Sequence, residues 1–180
     1  TTSNYVARNV DNLSLGYVYG PEVLGFYSRA YALMLYPLEL FTGLVNPVLH
    51  PALVRMKGDQ SRMLAFYRDI LGTIATLALP VMAGLGVLAE ETILTVWGSQ
   101  WEQSVEIFEV LCLVGAVQPL LSTSGAVFQA CDRADLLLKV GGLNSLVMIL
   151  GIFIGVPWGG VGVAVTYSGA YALIFVPTFY

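Results

Sequence analysis

Charge is what this chain has least of. Charged residues make up 11% of the 180, while hydrophobic residues reach 57% and the mean hydropathy is +0.75. Soluble domains carry roughly 25% charged residues, so this balance places the chain in the membrane class. The net charge of -4 is small and argues against nucleic acid as a partner. Histidine occurs once, as His50, which excludes a histidine-rich metal centre. Cysteine occurs twice, as Cys112 and Cys131, without CxxC spacing and within apolar segments; free buried thiols are expected. No Walker loop, HExxH, GxSxG or carboxylate pair at catalytic spacing is present. These residues therefore hold no nucleophile, base or metal set, imply no cofactor, and suggest a chain that is not an enzyme. Glu90-Glu91 reads as a solvated loop. The chain starts at Thr1 without Met or a signal peptide and stops at Tyr180 in an apolar run. A piece of a longer membrane protein is the expectation.

What is abundant is apolar run, and the most informative one extends from Pro21 to Lys57. It exceeds the ~20 helical residues that cross a bilayer core. It nevertheless carries Arg29 and Glu39, and Pro37, Pro47 and Pro51 interrupt it. Charges at such depth face a protein interior or a water-filled path. Hydropathy predicts about six spans: Asn4–Tyr19, Pro21–Pro47, Met63–Ala89, Glu102–Gln129, Leu136–Val156 and Gly159–Tyr180. The connections alternate. Arg55, Lys57, Arg62 and Arg68 fall between the second and third spans, and Arg133 and Lys139 between the fourth and fifth. The other three connections hold neither Lys nor Arg, and Arg8 and Arg29 are intramembrane. The positive-inside rule puts the loops at 55–62 and 131–139 in the cytoplasm. Trp97, Trp101, Trp158, Tyr17 and Tyr19 fall at the predicted outer ends, as an interfacial belt or as core aromatics.

Polar residues recur at helical spacing. Asn4, Arg8, Asp11 and Asn12 share one face of the first span, which lipid could not solvate. Arg8 and Asp11 either pair with each other or leave Asp11 for ion coupling. Glu39, Gly43, Asn46 and His50 form a second stripe, and Gln118, Ser122, Gly125 and Gln129 a third. Pro47 and Pro51 each delete a backbone bond, so a kink is expected near Asn46, as a fixed bend or as a hinge. Asp59 reads as the N-cap of a helix beginning QSRMLAFYRD, expected to lie along the interface before it dives. Gly151, Gly155 and Gly159, at four-residue spacing, suit close helix packing.

Three stretches carry a resemblance: NVDNLSLGYVYGPEVLGFYSRAYALMLYPLELFTGLVNPVLHPALVRMKGD, WGSQWEQSVEIFEVLCLVG and DRADLLLKVGG. Asp11-Asn12, Tyr27-Ser28-Arg29-Ala30-Tyr31 and Pro51-Ala52-Leu53 are its most specific pieces. The chain resembles polysaccharide exporters and flippases of the colanic-acid and O-antigen type, within the MOP superfamily. The resemblance implies an all-α membrane protein: residues 1–180 as one bundle of about six helices, similar to helices seven to twelve of a two-bundle transporter. It further implies the bacterial inner membrane, a polyprenyl-diphosphate-linked oligosaccharide as substrate, and membrane lipids and an N-terminal bundle as partners. Arg29 would meet the diphosphate; Arg8, Asn12, Glu39 and Gln118 complete the candidate substrate-binding set, with Asp11 the ion-coupling candidate. Alternatively Arg29 neutralises Asp11 or Glu22. A non-transporting scaffold and a drug or ion antiporter are the competing readings.

Overall fold

The computed structural model describes the backbone of residues 2–179 and the side chains of residues 12–174. Asn4, Arg8 and Asp11 of the first stripe therefore lie outside the described side chains. The elements are α1 (Thr2–Arg55), α2 (Gln60–Val87), α3 (Ala89–Trp97), α4 (Ser104–Ser122), α5 (Ser124–Ala130), α6 (Ala134–Gly155) and α7 (Gly159–Phe179). Short 3-10 turns cover Ser99–Trp101 and Val156–Trp158. The protein is an all-α membrane protein. Among the described residues four stretches are long and apolar enough to cross a bilayer: Asn12–Arg55, Gln60–Val87, Ser104–Ala130 and Ala134–Ile174.

Two of those stretches are bent by glycine. Gly20 has φ 82° and ψ -178° inside α1, a conformation that costs glycine nothing and an L side chain a good deal. A Cβ built on Gly16 would stand 3.0 Å from Leu24 Cδ2. Residues eight apart on a straight helix are separated by about 12 Å along its axis, so the chain folds back at Gly20. Gly159, at φ 73°, does the same between α6 and α7, which pack against each other as a hairpin. The four stretches thus contain six helical legs, in agreement with the hydropathy.

α4 is the central helix and packs against α1, α2 and α7. In its stretch half of the most apolar window is buried, against 17–22% in the other three. The main core gathers Tyr27, Ala30 and Met34 from α1, Met82 from α2, Phe108 and Leu111 from α4, and Val163 and Ala164 from α7. A second, smaller core lies at the far end, where Leu49, Leu53 and Ala130 meet Met63, Phe66 and Tyr67. Tyr67 and Thr123 hydroxyls bond there at 3.0 Å.

At that end Lys57 forms an ion pair with Asp132. The two basic connections are therefore neighbours on one end of the bundle, as the alternation of charge requires. The opposite end collects Gly20, α3, both 3-10 turns and the acidic residues Glu90, Glu91, Glu102 and Glu106. Asp59 caps α2, its carboxylate accepting from Arg62 N at 3.0 Å.

Three expectations change. QSRMLAFYRD is the first part of one continuous helix, α2, because Met63, Phe66 and Tyr67 bury against α1 and α5 instead of lying flat on lipid. α1 keeps helical dihedrals through Pro37, Pro47 and Pro51, and its one non-helical residue is Gly20. Cys112 is a free buried thiol, but Cys131 is free and exposed, since it falls in the turn after α5 and not in a span. Gly151 and Gly155 make the close approach expected of them, whereas Gly159 serves the turn.

Candidate functional site

YSRAY on α1 divides by face. Tyr27 and Ala30 are fully buried, and Tyr31 stacks on Tyr27 and bonds hydroxyl to hydroxyl with Tyr167 of α7 at 3.2 Å. Ser28 donates to Gly25 O at 3.1 Å, a bond that keeps its hydroxyl on its own helix. Arg29 points outward. The motif thus locks one face of the helix into the core and presents a guanidinium on the other.

Two tryptophans hold that guanidinium. Its carbon lies 5.8 Å from the Trp97 ring centroid and 5.3 Å from that of Trp101, within cation–π range. The turn between α3 and α4 places both rings. Gly98, at φ 92°, ends α3 with its N–H on Leu94 O, and Trp101 N then donates to Gly98 O at 3.1 Å. Gln100 Nε2 donates to Trp97 O at 2.9 Å. Trp101 meets Phe26 edge-on at 5.7 Å, and Ser104 Oγ at the start of α4 donates to Phe26 O at 3.0 Å. The clamp is therefore anchored to α1 on both sides. Among the described residues Arg29 makes no ion pair with a carboxylate, Glu22 included.

Arg29 belongs to an exposed stripe on α1 with Glu22, Tyr36, Leu40, Gly43 and Pro47, positions about seven, four or three apart and so on one face. Glu39 is exposed at the edge of that stripe, ten residues or about 15 Å along the axis from Arg29. Thr42 Oγ1 bonds back to Leu38 O at 2.9 Å. Asn12 is partly buried, eight residues before the fold-back at Gly20. Gln118 is elsewhere. It is 5% exposed, one turn beyond Gly115, whose face meets Met34 and Met82. Among the described residues its side-chain oxygen has no hydrogen-bond partner. The structure thus brings Arg29 together with Trp97 and Trp101, not with Glu39 or Gln118. Sequence reading placed both tryptophans at the right end of the bundle but missed their contact with Arg29; their four-residue spacing in WGSQW is the only local sign of it.

A buried amide oxygen without a partner costs about 1–3 kcal/mol. Gln118→Met, close in shape, is expected to leave the thermal stability of the purified protein equal or higher; a clear fall in melting point would mean that the amide is satisfied.

Hollows among the described residues border these elements. A cleft of about 510 Å³ at the acidic end runs between α1, α4 and the α6–α7 turn. A pocket of about 250 Å³ lies beside it against Glu22, Gln100 and Trp101, sharing Phe26 as a wall. An apolar groove of about 940 Å³ runs between α2, α4 and α7. No group of three or more metal-ligating side chains occurs among the described residues.

A family described as polysaccharide biosynthesis protein matches residues 1–106. The chain is 28% identical over 176 residues to the teichuronic acid biosynthesis protein TuaB of Bacillus subtilis, covering 98% of this chain and 36% of that protein. It is 25% identical over 152 residues to the lipopolysaccharide biosynthesis protein WzxC of Escherichia coli, covering 84% and 31%. With the amylovoran biosynthesis protein AmsL of Erwinia amylovora the figures are 27% over 149 residues, 83% and 38%. The chain spans about a third of the length of these relatives. No solved structure matches it. A matched family covering more than half of the chain, with relatives that align over most of it, leads to one conclusion: the chain belongs to the polysaccharide biosynthesis protein family.

Proposed function

We propose that this chain is one bundle of a transporter, not an enzyme, that moves a polyprenyl-diphosphate-linked oligosaccharide across the bacterial inner membrane. The observation that carries this reading is Arg29: a guanidinium held by two indole rings on an exposed face of an apolar helix, with no carboxylate partner among the described residues. Its planar fork of donors suits diphosphate oxygens. Indoles fix its position without neutralising it, so the charge stays available to an anion. The exposed face of α1 that carries Arg29 would line the path and meet an N-terminal bundle, and Glu39 would sit further along it. The relatives' roles in teichuronic acid, lipopolysaccharide and amylovoran biosynthesis support the saccharide class.

Depletion of the full-length protein tests this. Lipid-linked saccharide should accumulate in the cytoplasmic leaflet while surface polysaccharide disappears. Unchanged leaflet distribution would favour the scaffold reading, and altered drug or ion tolerance alone would favour an antiporter.

Orientation has its own test. Single cysteines at Lys57 and Arg133 should react only with reagents on the cytoplasmic side, and those at Gln100 and Pro157 only from outside. The Lys57–Asp132 pair ties the two basic loops together, so labelling of either pair from both sides would defeat the assignment.

A further inference from the structure

The cleft at the acidic end has walls that the Arg29 reading leaves unused. Trp158 is 69% exposed and Tyr19 38% exposed, and both line it. Glu102, Gln103 and Glu106 line the opposite side, all exposed, and among the described residues neither carboxylate is in an ion pair. The floor is Gly160 at the start of α7, pressed so near Ile107 that a Cβ there would stand 2.9 Å from Ile107 Cδ1. The first-turn amides of a helix have no partner within it. The cleft therefore offers aromatic faces, carboxylate and amide acceptors, and backbone donors together, in about 510 Å³, a size usual for a small-ligand site.

We propose that this cleft is a saccharide subsite that binds a neutral pyranose unit of the transported oligosaccharide at the acidic end of the bundle. The electron-rich faces of Trp158 and Tyr19 take the C–H face of a sugar ring. Carboxylates accept only, so Glu102 and Glu106 receive sugar hydroxyl protons, while the α7 amides donate to hydroxyl oxygens. A polyol is the ligand that satisfies both sets at once. A diphosphate would be repelled by the two carboxylates, and a bare cation would be opposed by the positive ends of α4 and α7. Position supports the same ligand. Phe26 walls the cleft and also packs on Trp101, which holds Arg29. A headgroup with its diphosphate on Arg29 would reach the cleft with its sugars.

The inference rests on the transport reading for its substrate, but its test does not. Full-length protein in lipid nanodiscs is titrated with maltotriose as a neutral pyranose probe, with inorganic pyrophosphate and calcium as controls, and binding is read by saturation-transfer NMR. Maltotriose should bind, and Trp158→Ala and Glu106→Gln should each weaken it by about fivefold or more, with Trp158→Phe retaining part of the affinity. Both residues are exposed, so the variants should fold. Absence of maltotriose binding, equal binding by Trp158→Ala, or calcium as the only ligand that responds to Glu106→Gln would each overturn the subsite. If depletion leaves the leaflet distribution of lipid-linked saccharide unchanged while maltotriose still binds through Trp158, the transport reading fails and the subsite stands. If depletion traps the substrate but the cleft ignores maltotriose, the reverse holds.

Discussion

Arg29→Ala in the full-length protein is expected to cut saccharide export by tenfold or more while membrane expression stays near normal. Removing one member of a desolvated charge pair costs about 2–5 kcal/mol, and each 1.4 kcal/mol is about tenfold. Normal expression follows from what Arg29 touches. A carboxylate partner left bare in the membrane would cost roughly 3–5 kcal/mol and lower expression. Two indoles left without their cation lose only about 0.5–2 kcal/mol. Arg29→Lys keeps the charge and loses the fork, so intermediate export is expected. Trp97→Ala and Trp101→Ala should also fall between, since each removes half of the clamp and leaves the cation. Surface polysaccharide, leaflet distribution of the lipid-linked precursor and an expression blot together read the series. Full export by a well-expressed Arg29→Ala variant removes Arg29 from the path. Lost expression rescued by Asp11→Asn or Glu22→Gln would make it a structural charge.

The sequence disclosed whatever depends on neighbours along the chain. The six legs, the Asp59 cap and the shared end of the two basic loops all follow from local composition and spacing. The first two are intrahelical, and the third follows from each crossing reversing direction. Contacts between distant segments were not legible. Nothing in residues 21 to 57 tells that Arg29 will meet rings some seventy positions later, and a tryptophan at a span end suits headgroups as well as a guanidinium. The polar stripe on α4 shows the same limit: Gln118 is legible on it, but that Gly115, one turn away, meets Met34 and Met82 is a property of three helices. The fold-back at Gly20 rests on a backbone angle, φ 82°, that glycine alone tolerates without cost and that no periodicity announces. Of the candidate set, then, the place of Arg29 on its helix was readable and its aromatic partners were not.

Lipid supplies no hydrophobic force between helices, so contact between them depends on closeness. The α6–α7 hairpin shows how close. A Cβ on Gly155 would stand 2.2 Å from Thr166 Oγ1, 2.6 Å from Gly162 O and 2.8 Å from Val163 Cα. On Gly162 it would stand 2.5 Å from Gly155 O and 2.4 Å from Trp158 Cβ. Thr166 could rotate, at the loss of its bond to Gly162 O at 3.0 Å. The backbone atoms cannot move without moving α7. Gly155→Ala and Gly162→Ala are therefore expected to be the most damaging single-methyl changes in the bundle, at or above the usual 1–3 kcal/mol of overpacking. Gly151→Ala, with Thr166 O at 3.3 Å and Ala170 Cβ at 3.4 Å, should cost less, and Gly141→Ala, with nothing within 4 Å, should be neutral or stabilising. Thermal unfolding of the purified protein in one detergent ranks the four. Melting points lowered by about 5 °C or more for the first two would fit a domain of this size. Gly162→Ala should also displace Trp158 and so weaken maltotriose binding in the cleft, which Gly141→Ala should not. Equal stability of Gly155→Ala and Gly141→Ala would mean that α6 and α7 do not approach through this row.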